Sequence, residues 1–584
     1  MSEGTAELLG NPYGAVSYEK LREPCRAFVD KSAFIKELDD ASAPRYSILL
    51  RPRLFGKSAF VQMLKCFYDM SYKDRYEELF SGTDIYQENL ASRNTYHVID
   101  FDFSGVSGDD KDTLTDSFIV AIKRGITDFR SRYPDFVFNP TEADKITPSC
   151  FISSFLRAYM RYPAKKSLYV MIDEYDTFAE RRIFQVAEQF QAVSGAVGFI
   201  RDFYAVLKAG TVNSIGKIFI TGVSSVSLDS LTSGFNIARN VTSRACFNDY
   251  AGFTETEIAK LIPELLDIKQ MGVSADEIIA RMKTAYGGYR FSPEAERMVL
   301  NAAMCLHYLD EMSLAGEFLP PEDYPVTAAE HDVLKLKQLL DLAEDGLADE
   351  IIDTCLSGDR FLLKKLAENI NLNKDARYNR MQLLSMLYYL GYLTIDKKLS
   401  RTGWLALKIP NLFMSKVFAR CTAAIRLKPS MVFTDAALDI SALQEVRDDI
   451  SSFAASCTEF LSGIFTNQVL THMSEMAINL TLYTKLDSVW GVFAEMQKSL
   501  RVVGDGEKYA DLVITVNEGK ENECIYLIEL KYAAKNEATE AKIQNLVNEA
   551  RDQVLKYSSA LEFRGRLVKP YAMVFAGSDC VYCG

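Results

Sequence analysis

The sequence predicts an α/β protein of 584 residues organised in three regions, at 1–255, 256–440 and 441–584. In the first region, short apolar runs alternate with longer segments that have room for helices. In the middle region, apolar residues recur at helical spacing and strand-like runs are sparse. The last region contains paired strand-like runs followed by a helix. A chain of this length exceeds what one hydrophobic core supports, so separate domains are expected.

The composition is that of an ordinary globular protein, with 48% hydrophobic and 25% charged residues. No apolar run approaches the roughly 18 residues that a membrane-spanning helix needs. The N-terminal residues lack the basic and then apolar order of a secretory signal, so we expect a cytoplasmic protein with no membrane partner. The net charge of −13 argues against a protein that coats nucleic acid, but it leaves room for a local basic groove.

The eleven cysteines are scattered and odd in number, which favours free thiols in a reducing compartment. Cys580 and Cys583 form a close pair at the C-terminus. Because no second pair accompanies them and the chain has four histidines, this is a weak zinc motif.

Four apolar runs in the first region predict parallel strands that are covered on both faces. The runs lie at 46–50, 97–103, 167–172 and 217–221. The segments between them are long enough for the crossover helices that parallel strands require. We therefore expect a layered α/β domain.

The first run leads into a glycine–lysine–serine turn and then into an apolar helix start. This is the layout of a phosphate-binding loop, in which backbone N–H groups and a lysine hold phosphates and a hydroxyl holds Mg²⁺. Gly56, Lys57 and Ser58 are therefore predicted to bind ATP, with Ser58 also a metal ligand. Arg51 replaces the glycine that usually opens such a loop, and Arg51 and Arg53 are candidate phosphate contacts. The tripeptide alone is weak evidence.

The third run ends in adjacent carboxylates, which strengthens this prediction. In a phosphate-loop ATPase the first such carboxylate anchors Mg²⁺ and the second polarises the attacking water. These roles fall to Asp173 and Glu174. The alternative is a buried strand with a solvated acidic end.

The fourth run ends in a polar cluster, where a side chain beside the γ-phosphate is expected. Ser224 and Thr221 are the candidates, although serines that only form a turn are nearly as well supported. Arg239 and Arg244 are further candidate phosphate contacts that the sequence does not rank.

The middle region contains apolar residues at helical spacing over 257–266, 275–286 and 332–347. The run from 383 to 395, followed by 404–410, predicts a helix and then a β-hairpin. That order is typical of a small winged-helix-like element.

The last region is expected to open with helices up to about residue 499. Strands are predicted at 509–516 and 525–531, a helix at 539–561 and a strand at 571–576. The two paired strands are the part of the region that carries chemistry.

Asp511 lies at the start of the first paired strand, and Glu529 and Lys531 lie on one face of the second, since alternate residues of a strand point the same way. Two carboxylates that meet across paired strands bind Mg²⁺ or Mn²⁺ through oxygen, and a neighbouring lysine orients or deprotonates water. All three are candidate catalytic residues, and the two carboxylates are candidate metal ligands. A solvated strand face is the alternative.

The sequence resembles the AAA-ATPase-like family over nearly its whole length. The motifs that carry the resemblance lie at 11–14, 28–32, 51–58, 172–176, 221–224, 252–255, 286–292 and 391–394. In that family an arginine–proline–arginine run replaces the first glycine of the loop, so Arg51 matches the family pattern. Leu54 departs from it, because a second arginine is common there. Members typically pair this ATPase with a C-terminal nuclease-like domain of the PD-(D/E)XK superfamily, which has a restriction-endonuclease-like α/β fold.

The last region also resembles the RecB-like branch of that superfamily, and the resemblance implies accessory residues. Gln553 and Tyr557 lie four apart on one helix face and would position water or a backbone phosphate. Glu475 would supply a third carboxylate, with Glu459 and Glu495 as competing candidates.

The resemblance and the two sites predict a protein that hydrolyses ATP and couples this to metal-dependent hydrolysis of nucleic-acid phosphodiester bonds. The implied cofactors are ATP and Mg²⁺, with Mn²⁺ as an alternative at the second site. DNA is favoured over RNA as the partner, and homo-oligomerisation is left open. The alternative function is a nucleotide-switched regulatory or defence protein whose nuclease-like domain only binds nucleic acid or a protein partner.

Overall fold

The computed structural model describes residues 8–15, 17–108, 110–177, 197–225, 236–319, 326–367, 370, 377–400, 403–426, 438–465, 475–486, 492–502, 506–518, 520 and 522–584. The chain divides into two compact units. The first comprises Met1–Ala328, Gln338–Glu344 and Phe361–Leu412, and the second comprises Ala329–Lys337, Asp345–Arg360 and Phe413–Gly584.

A parallel sheet organises the first unit. Its strands are β1 (Tyr46–Leu50), β2 (His97–Asp102), β3 (Leu168–Asp173), β4 (Ile215–Gly222) and β5 (Arg239–Asn240). They pair in the order β2–β3–β4–β1–β5, and every pair is parallel. The structure confirms the four predicted strands to within two residues at each end. The sequence gives no sign of β5, because its two residues are polar and exposed and form no apolar run.

The helices between residues 18 and 426 follow, with their bounds. They are α1 (Tyr18–Leu21), α2 (Phe34–Asp39), α3 (Lys57–Tyr68), α4 (Tyr76–Phe80), α5 (Lys111–Arg132), α6 (Pro148–Met160), α7 (Val197–Gly210), α8 (Glu255–Leu265), α9 (Ile268–Met271), α10 (Ala275–Tyr286), α11 (Ala302–Ala315), α12 (Val326–Asp341), α13 (Leu347–Ser357), α14 (Arg380–Tyr389) and α15 (Leu412–Arg426). Short 3₁₀ helices lie at Met70–Arg75, Ala143–Lys145 and Ala245–Phe247.

Helix α3 begins directly after the loop that follows β1. Gly56 precedes the helix with a φ of 93°, a left-handed conformation that glycine adopts without a steric cost. Phe60, Leu64 and Phe67 recur at helical spacing and are buried, so this face of α3 packs against the sheet. The loop is therefore held between a central strand and a buried helix.

A small antiparallel sheet accompanies α14 in the first unit. Strands β6 (Phe361–Leu363), β7 (Thr394–Ile395) and β8 (Leu405–Lys408) pair in the order β6–β8–β7. Helix α14 and the β7–β8 hairpin correspond to the helix and hairpin that the sequence predicts. Their identity as a winged-helix-like element stays a prediction.

The helix predicted over 332–347 is wrong at its C-terminal end. The helix α12 ends at Asp341, and α13 begins at Leu347. Gly346 stands between them with a φ of 78°, and a residue in this left-handed conformation does not continue a right-handed helix.

A mixed sheet organises the second unit. Its strands are β9 (Val492–Val502), β10 (Gly506–Val516), β11 (Cys524–Ala533), β12 (Val568–Ala576) and β13 (Asp579–Cys583). They pair in the order β13–β12–β11–β10–β9, antiparallel except for the parallel pair β11–β12. The helices of this part are α16 (Ser441–Gln444), α17 (Ser451–Ile464), α18 (Glu475–Leu486) and α19 (Glu540–Tyr557), with a 3₁₀ helix at Leu561–Phe563.

Helix α19 is the crossover between the parallel strands β11 and β12. It packs on the sheet through Val554 and Tyr557, and the core there also includes Leu500, Val513 and Leu527. The predicted strands at 509–516 and 525–531 and the predicted helix at 539–561 are thus confirmed as elements. The identity of this unit as a nuclease fold stays a prediction.

The expectation of helices up to residue 499 is wrong, because 492–502 forms the edge strand β9. Ala494, Leu500 and Val502 are buried and Phe493 is half exposed, which is the alternation of a strand. Glutamate, glutamine, lysine and methionine in this run favour a helix locally, and pairing with β10 overrides that preference.

Candidate functional site

The sheet order brings the predicted phosphate loop close to the acidic strand end. Strand β4 lies between β1 and β3, and all three are parallel, so their carboxyl ends meet at one edge. Ligands of open parallel sheets bind at such an edge. The loop at 51–56 follows β1, Asp173 is the last residue of β3, and Glu174 follows it.

The lysine of the loop is buried and paired. Lys57 Nζ donates to the Pro52 carbonyl at 3.2 Å and lies 3.3 Å from Glu174 Oε1, with the lysine side chain only 3% exposed. Burial acts to lower the pKa of Lys57, but the charges of Glu174 and Asp173 outweigh it and raise this pKa. The ammonium group is therefore charged and faces the carboxyl edge of the sheet.

The two adjacent carboxylates have opposite electrostatic environments. Burial, followed by the charge of Glu174, raises the pKa of Asp173 to about 6, although a hydrogen bond from Ser58 opposes this. Burial also acts to raise the pKa of Glu174, but Lys57 and Arg53 outweigh it and lower this pKa. Glu174 has a φ of 52°, an uncommon conformation for a residue other than glycine. The structure thus brings together Lys57, Ser58, Asp173 and Glu174 as predicted.

The loop arginines differ from one another. Arg51 is fully buried and donates to backbone carbonyl groups, among them Leu50 O at 2.7 Å and Thr242 O at 3.1 Å. Arg53 is exposed, and its charge reaches Glu174. Arg53 therefore lies where a phosphate contact is expected, whereas the Arg51 guanidinium is committed to the backbone.

The polar end of β4 is fixed by a residue whose role the sequence analysis missed. The buried carboxylate of Asp176 accepts hydrogen bonds from Val223 N at 3.0 Å, Ser224 N at 2.6 Å and Ser224 Oγ at 2.8 Å. Thr221 Oγ1 donates to Leu49 O at 2.8 Å. The sequence signal that could have indicated Asp176 is its spacing. It lies three residues after Asp173, with the aromatic Tyr175 between them.

The positions of the two other candidate arginines do not test whether they contact phosphate. Arg239 lies exposed on β5, and Arg244 is half-buried just before a 3₁₀ helix. Their assignment as phosphate contacts stays a prediction.

Strands β10 and β11 bring the predicted C-terminal residues together. The backbone N–H of Asp511 donates to Glu529 Oε1 at 3.3 Å, and Asp511 Oδ2 accepts from Leu530 N at 2.9 Å. Both carboxylates are buried. Burial, followed by the charge of Asp511, raises the pKa of Glu529 well above its usual range. Two acidic groups thus share one poorly solvated position.

Lys531 completes this cluster and contacts a third carboxylate. Its Nζ lies 3.2 Å from Glu475 Oε1 and 4.0 Å from Asp511 Oδ2. Burial acts to lower the pKa of Lys531, but Glu475 and Asp511 outweigh it and raise this pKa, so the ammonium group stays charged. Glu475, Glu459 and Glu495 are the candidates for the third carboxylate. Among the described contacts, Glu475 pairs with Lys531, and Glu495 pairs with Lys498.

Helices α18 and α19 add polar groups to the cluster. Asn479, one turn after Glu475, donates from Nδ2 to Asp511 O at 2.7 Å. Burial raises the pKa of Glu475, and the charge of Glu549 on α19 acts in the same direction. Gln553 lies one turn further along that helix, and its Oε1 is buried with no hydrogen-bond partner in the part of the chain that the structure describes. Tyr557 packs into the core of the unit.

Among the described residues, no group of three or more His, Cys, Asp or Glu side chains is arranged to hold a metal ion. All eleven cysteines are free. Burial raises the pKa of Cys580 and of Cys583 to about 12, so both are neutral thiols. The weak zinc motif therefore gains no support.

Residues 12–232 match the family model described as predicted AAA-ATPase. The matched range contains the phosphate loop, Asp173, Glu174 and the end of β4, and the match suggests nucleotide-binding activity. The C-terminal cluster lies outside the matched range.

A relative of unknown role matches part of the chain. An "uncharacterized protein in vnfD 5′ region" of Azotobacter chroococcum mcd 1 is 24% identical over 295 residues, which cover 49% of each protein. The matched stretch spans about half the length of that relative.

Among the described helices, none is both long and apolar enough to cross a membrane.

Proposed function

We propose that this protein hydrolyses ATP at the phosphate loop and uses the nucleotide state to control a metal-dependent nuclease in its second unit. The observation that carries the proposal is that each predicted set of charged side chains converges. Lys57 meets Glu174 at the end of the parallel sheet, and Lys531 of the mixed sheet lies beside Asp511 of the same sheet and Glu475 of α18. The AAA-ATPase-like match supports the first site independently.

The residues of the first site fit ATP with Mg²⁺. Ser58 and Asp173 are hydrogen-bonded to each other, so a hydroxyl and a carboxylate oxygen lie side by side, as magnesium coordination requires. When bound there, Mg²⁺ neutralises charge on the phosphates. Lys57 and Arg53 would bind phosphate oxygens. Backbone N–H groups at the start of α3 would bind them as well.

The Lys57–Glu174 pair suggests how the first site is activated. Phosphate oxygens compete with Glu174 for Lys57, because both are anionic partners of one ammonium group. Once Lys57 turns to phosphate, its lowering effect on the pKa of Glu174 weakens and that pKa rises. A carboxylate of higher pKa is a better acceptor for the proton of an attacking water.

The residues of the second site fit Mg²⁺ or Mn²⁺ with two protein carboxylates. Magnesium sites commonly use one or two carboxylates together with water and substrate phosphate, so a third acidic ligand is not required. Asp511 and Glu529 supply oxygen donors in a buried position. When bound there, the metal ion supplies an activated water and neutralises the scissile phosphate. Lys531 stays charged, so we assign it to stabilising negative charge on the phosphate rather than to removing a proton.

The decisive experiment measures Mg²⁺-dependent cleavage of single- and double-stranded DNA and RNA, with and without ATP. Lys531→Ala is compared with the wild type and with Lys535→Ala, a matched change at an exposed lysine of the same segment. We expect cleavage, with DNA preferred, that is lost in the first variant and kept in the second. Absence of wild-type cleavage on all four substrates would rule out the nuclease.

A parallel ATPase assay tests the first site. Lys57→Ala is expected to abolish turnover, whereas Lys36→Ala, at an exposed lysine on α2, leaves it unchanged. Equal turnover by the two variants would remove the phosphate loop from the mechanism.

The alternative function is a nucleotide-switched regulatory or defence protein whose second unit binds nucleic acid or a protein without cutting. One observation favours it, namely that the described residues include no group of three metal-ligating side chains. ATP turnover together with nucleic-acid binding but no cleavage would support this function.

A further inference from the structure

Arg51 stands where a phosphate loop usually opens with glycine, and its side chain points into the protein core. It is 1% exposed. One terminal nitrogen donates to Leu50 O at 2.7 Å and Thr242 O at 3.1 Å, and the other donates to Phe247 O. The guanidinium thereby ties the end of β1 to the segment after β5.

The environment of Arg51 is aromatic rather than acidic. Its Cζ lies 4.2 Å from the ring centroid of Phe291 and 4.9 Å from that of Tyr250. Within the described chain no carboxylate pairs with it, and its buried Nε has no hydrogen-bond partner. The charge of Asp249 favours the charged guanidinium without pairing with it directly, and burying a cation in this way is costly, so an arginine here calls for a role beyond packing.

The other end of the loop is anchored in the same place. The Phe55 ring packs edge-on against Tyr289, with centroids 5.0 Å apart, and against Phe291 at 5.6 Å. Leu54 O accepts a hydrogen bond from Ala303 N at 3.1 Å, and Leu54 has a φ of 68°. Both ends of the loop between Arg51 and Phe55 therefore contact the 286–303 segment, Arg51 through the Phe291 ring alone and the other end through Leu54 and Phe55. This segment lies in the same compact unit.

We propose that Arg51 is a positioning residue that fixes the phosphate loop and transmits nucleotide binding to the 286–303 segment. The proposal rests on nucleotide binding at the loop. Lys57 donates to Pro52 O, so a lysine that turns to phosphate releases that carbonyl at the centre of the loop. Because both ends of the loop are anchored, the change passes to the residues that hold the anchors.

The test follows backbone amide hydrogen exchange in the 286–303 segment with and without a saturating fluorescent ATP analogue and Mg²⁺. Arg51→Met removes the donors and the charge, and Arg201→Met, at an exposed arginine on α7 of the same unit, is the matched control. For the wild type and Arg201→Met, we expect nucleotide to slow exchange in the segment at least about threefold. In Arg51→Met we expect at least about tenfold weaker binding of the analogue and, at saturation, no change in exchange.

One further variant keeps the test decisive. Phe291→Leu leaves the hydrogen bonds of Arg51 in place but removes an aromatic contact, and it is expected to weaken the exchange response while circular dichroism stays native. This variant decides the question if Arg51→Met does not fold. A response in Arg51→Met or Phe291→Leu equal to that of the wild type overturns the proposal. If the wild type binds no analogue, the proposed nucleotide site fails as well, which is a distinguishable outcome.

Discussion

The buried carboxylate of Asp173 should make the stability of the first unit depend on pH. Burial and Glu174 raise its pKa from 3.8 to about 6. Well below pH 3.8 the group is protonated in both the folded and unfolded states and costs nothing. Between about pH 4 and 6 the unfolded chain ionises first, so stability falls as pH rises, and the penalty is constant above that window.

The magnitude follows from the two pKa values. A difference of about 2 in pKa corresponds to about 3 kcal/mol of unfolding free energy. Asp173→Asn retains the shape of the side chain and removes the ionisation. The variant should therefore gain up to about 3 kcal/mol relative to the wild type between pH 4 and pH 7, without metal or nucleotide. Asp173 is a predicted ligand of Mg²⁺, and residues that serve function commonly lower the stability of the protein.

The assay is urea unfolding of both proteins at several pH values from 4 to 7.5, followed by the transition of the first unit. Asp202→Asn, at an exposed position on α7, is the control for a simple loss of charge. A difference between Asp173→Asn and the wild type that stays flat across this range would refute the reasoning. Addition of Mg²⁺ and ATP should stabilise the wild type and not Asp173→Asn.

Three other outcomes are expected. Glu174→Gln should bind ATP and hydrolyse it at least about 100-fold more slowly, as measured by phosphate release, because the proton acceptor is lost; unchanged turnover would contradict its role. Asp176→Ala should lower the unfolding free energy by about 3 kcal/mol in denaturant titration, since three hydrogen bonds lose their acceptor; a loss under 1 kcal/mol would show that the turn does not depend on it. Glu475→Gln should slow nucleic-acid cleavage about tenfold or more through Lys531, whereas Glu459→Gln should not; equal effects would disprove the choice of Glu475.

The strands and helices with a single strong pattern could be predicted from the sequence. The strands β1 to β4 are continuous apolar runs, and their parallel pairing follows from the long segments between them. The convergence of four side chains at the carboxyl edge of this sheet could also be predicted, because each lies at or just after the end of a strand. They are Lys57, Ser58, Asp173 and Glu174. The edge strand β9 could not, since its local preference is helical and only its partner β10 reverses that preference.

Side-chain partners that are distant in sequence could not be predicted either. The direction of Arg51 depends on residues 191 or more positions away, so no local pattern reveals that it faces the core. Glu475 could be proposed from the sequence but not chosen over Glu459 and Glu495, because the choice depends on how α18 packs beside β11. Asp176 lies three residues after Asp173, and only the fold shows that it holds the turn after β4.

The double anchoring of the phosphate loop has a consequence for biosynthesis. Arg51 and Phe55 leave the ribosome long before Tyr250, Phe291 and Ala303 are translated, so the loop cannot take its final form while the chain is growing through that interval. A nascent chain that stops after residue 255 would contain Thr242, Phe247 and Tyr250, but it would leave Arg51 without Phe291 and Phe55 without its ring partners Tyr289 and Phe291. ATP is therefore expected to be captured late in synthesis, and a fragment cut at the end of the family match would carry the loop sequence without a competent loop.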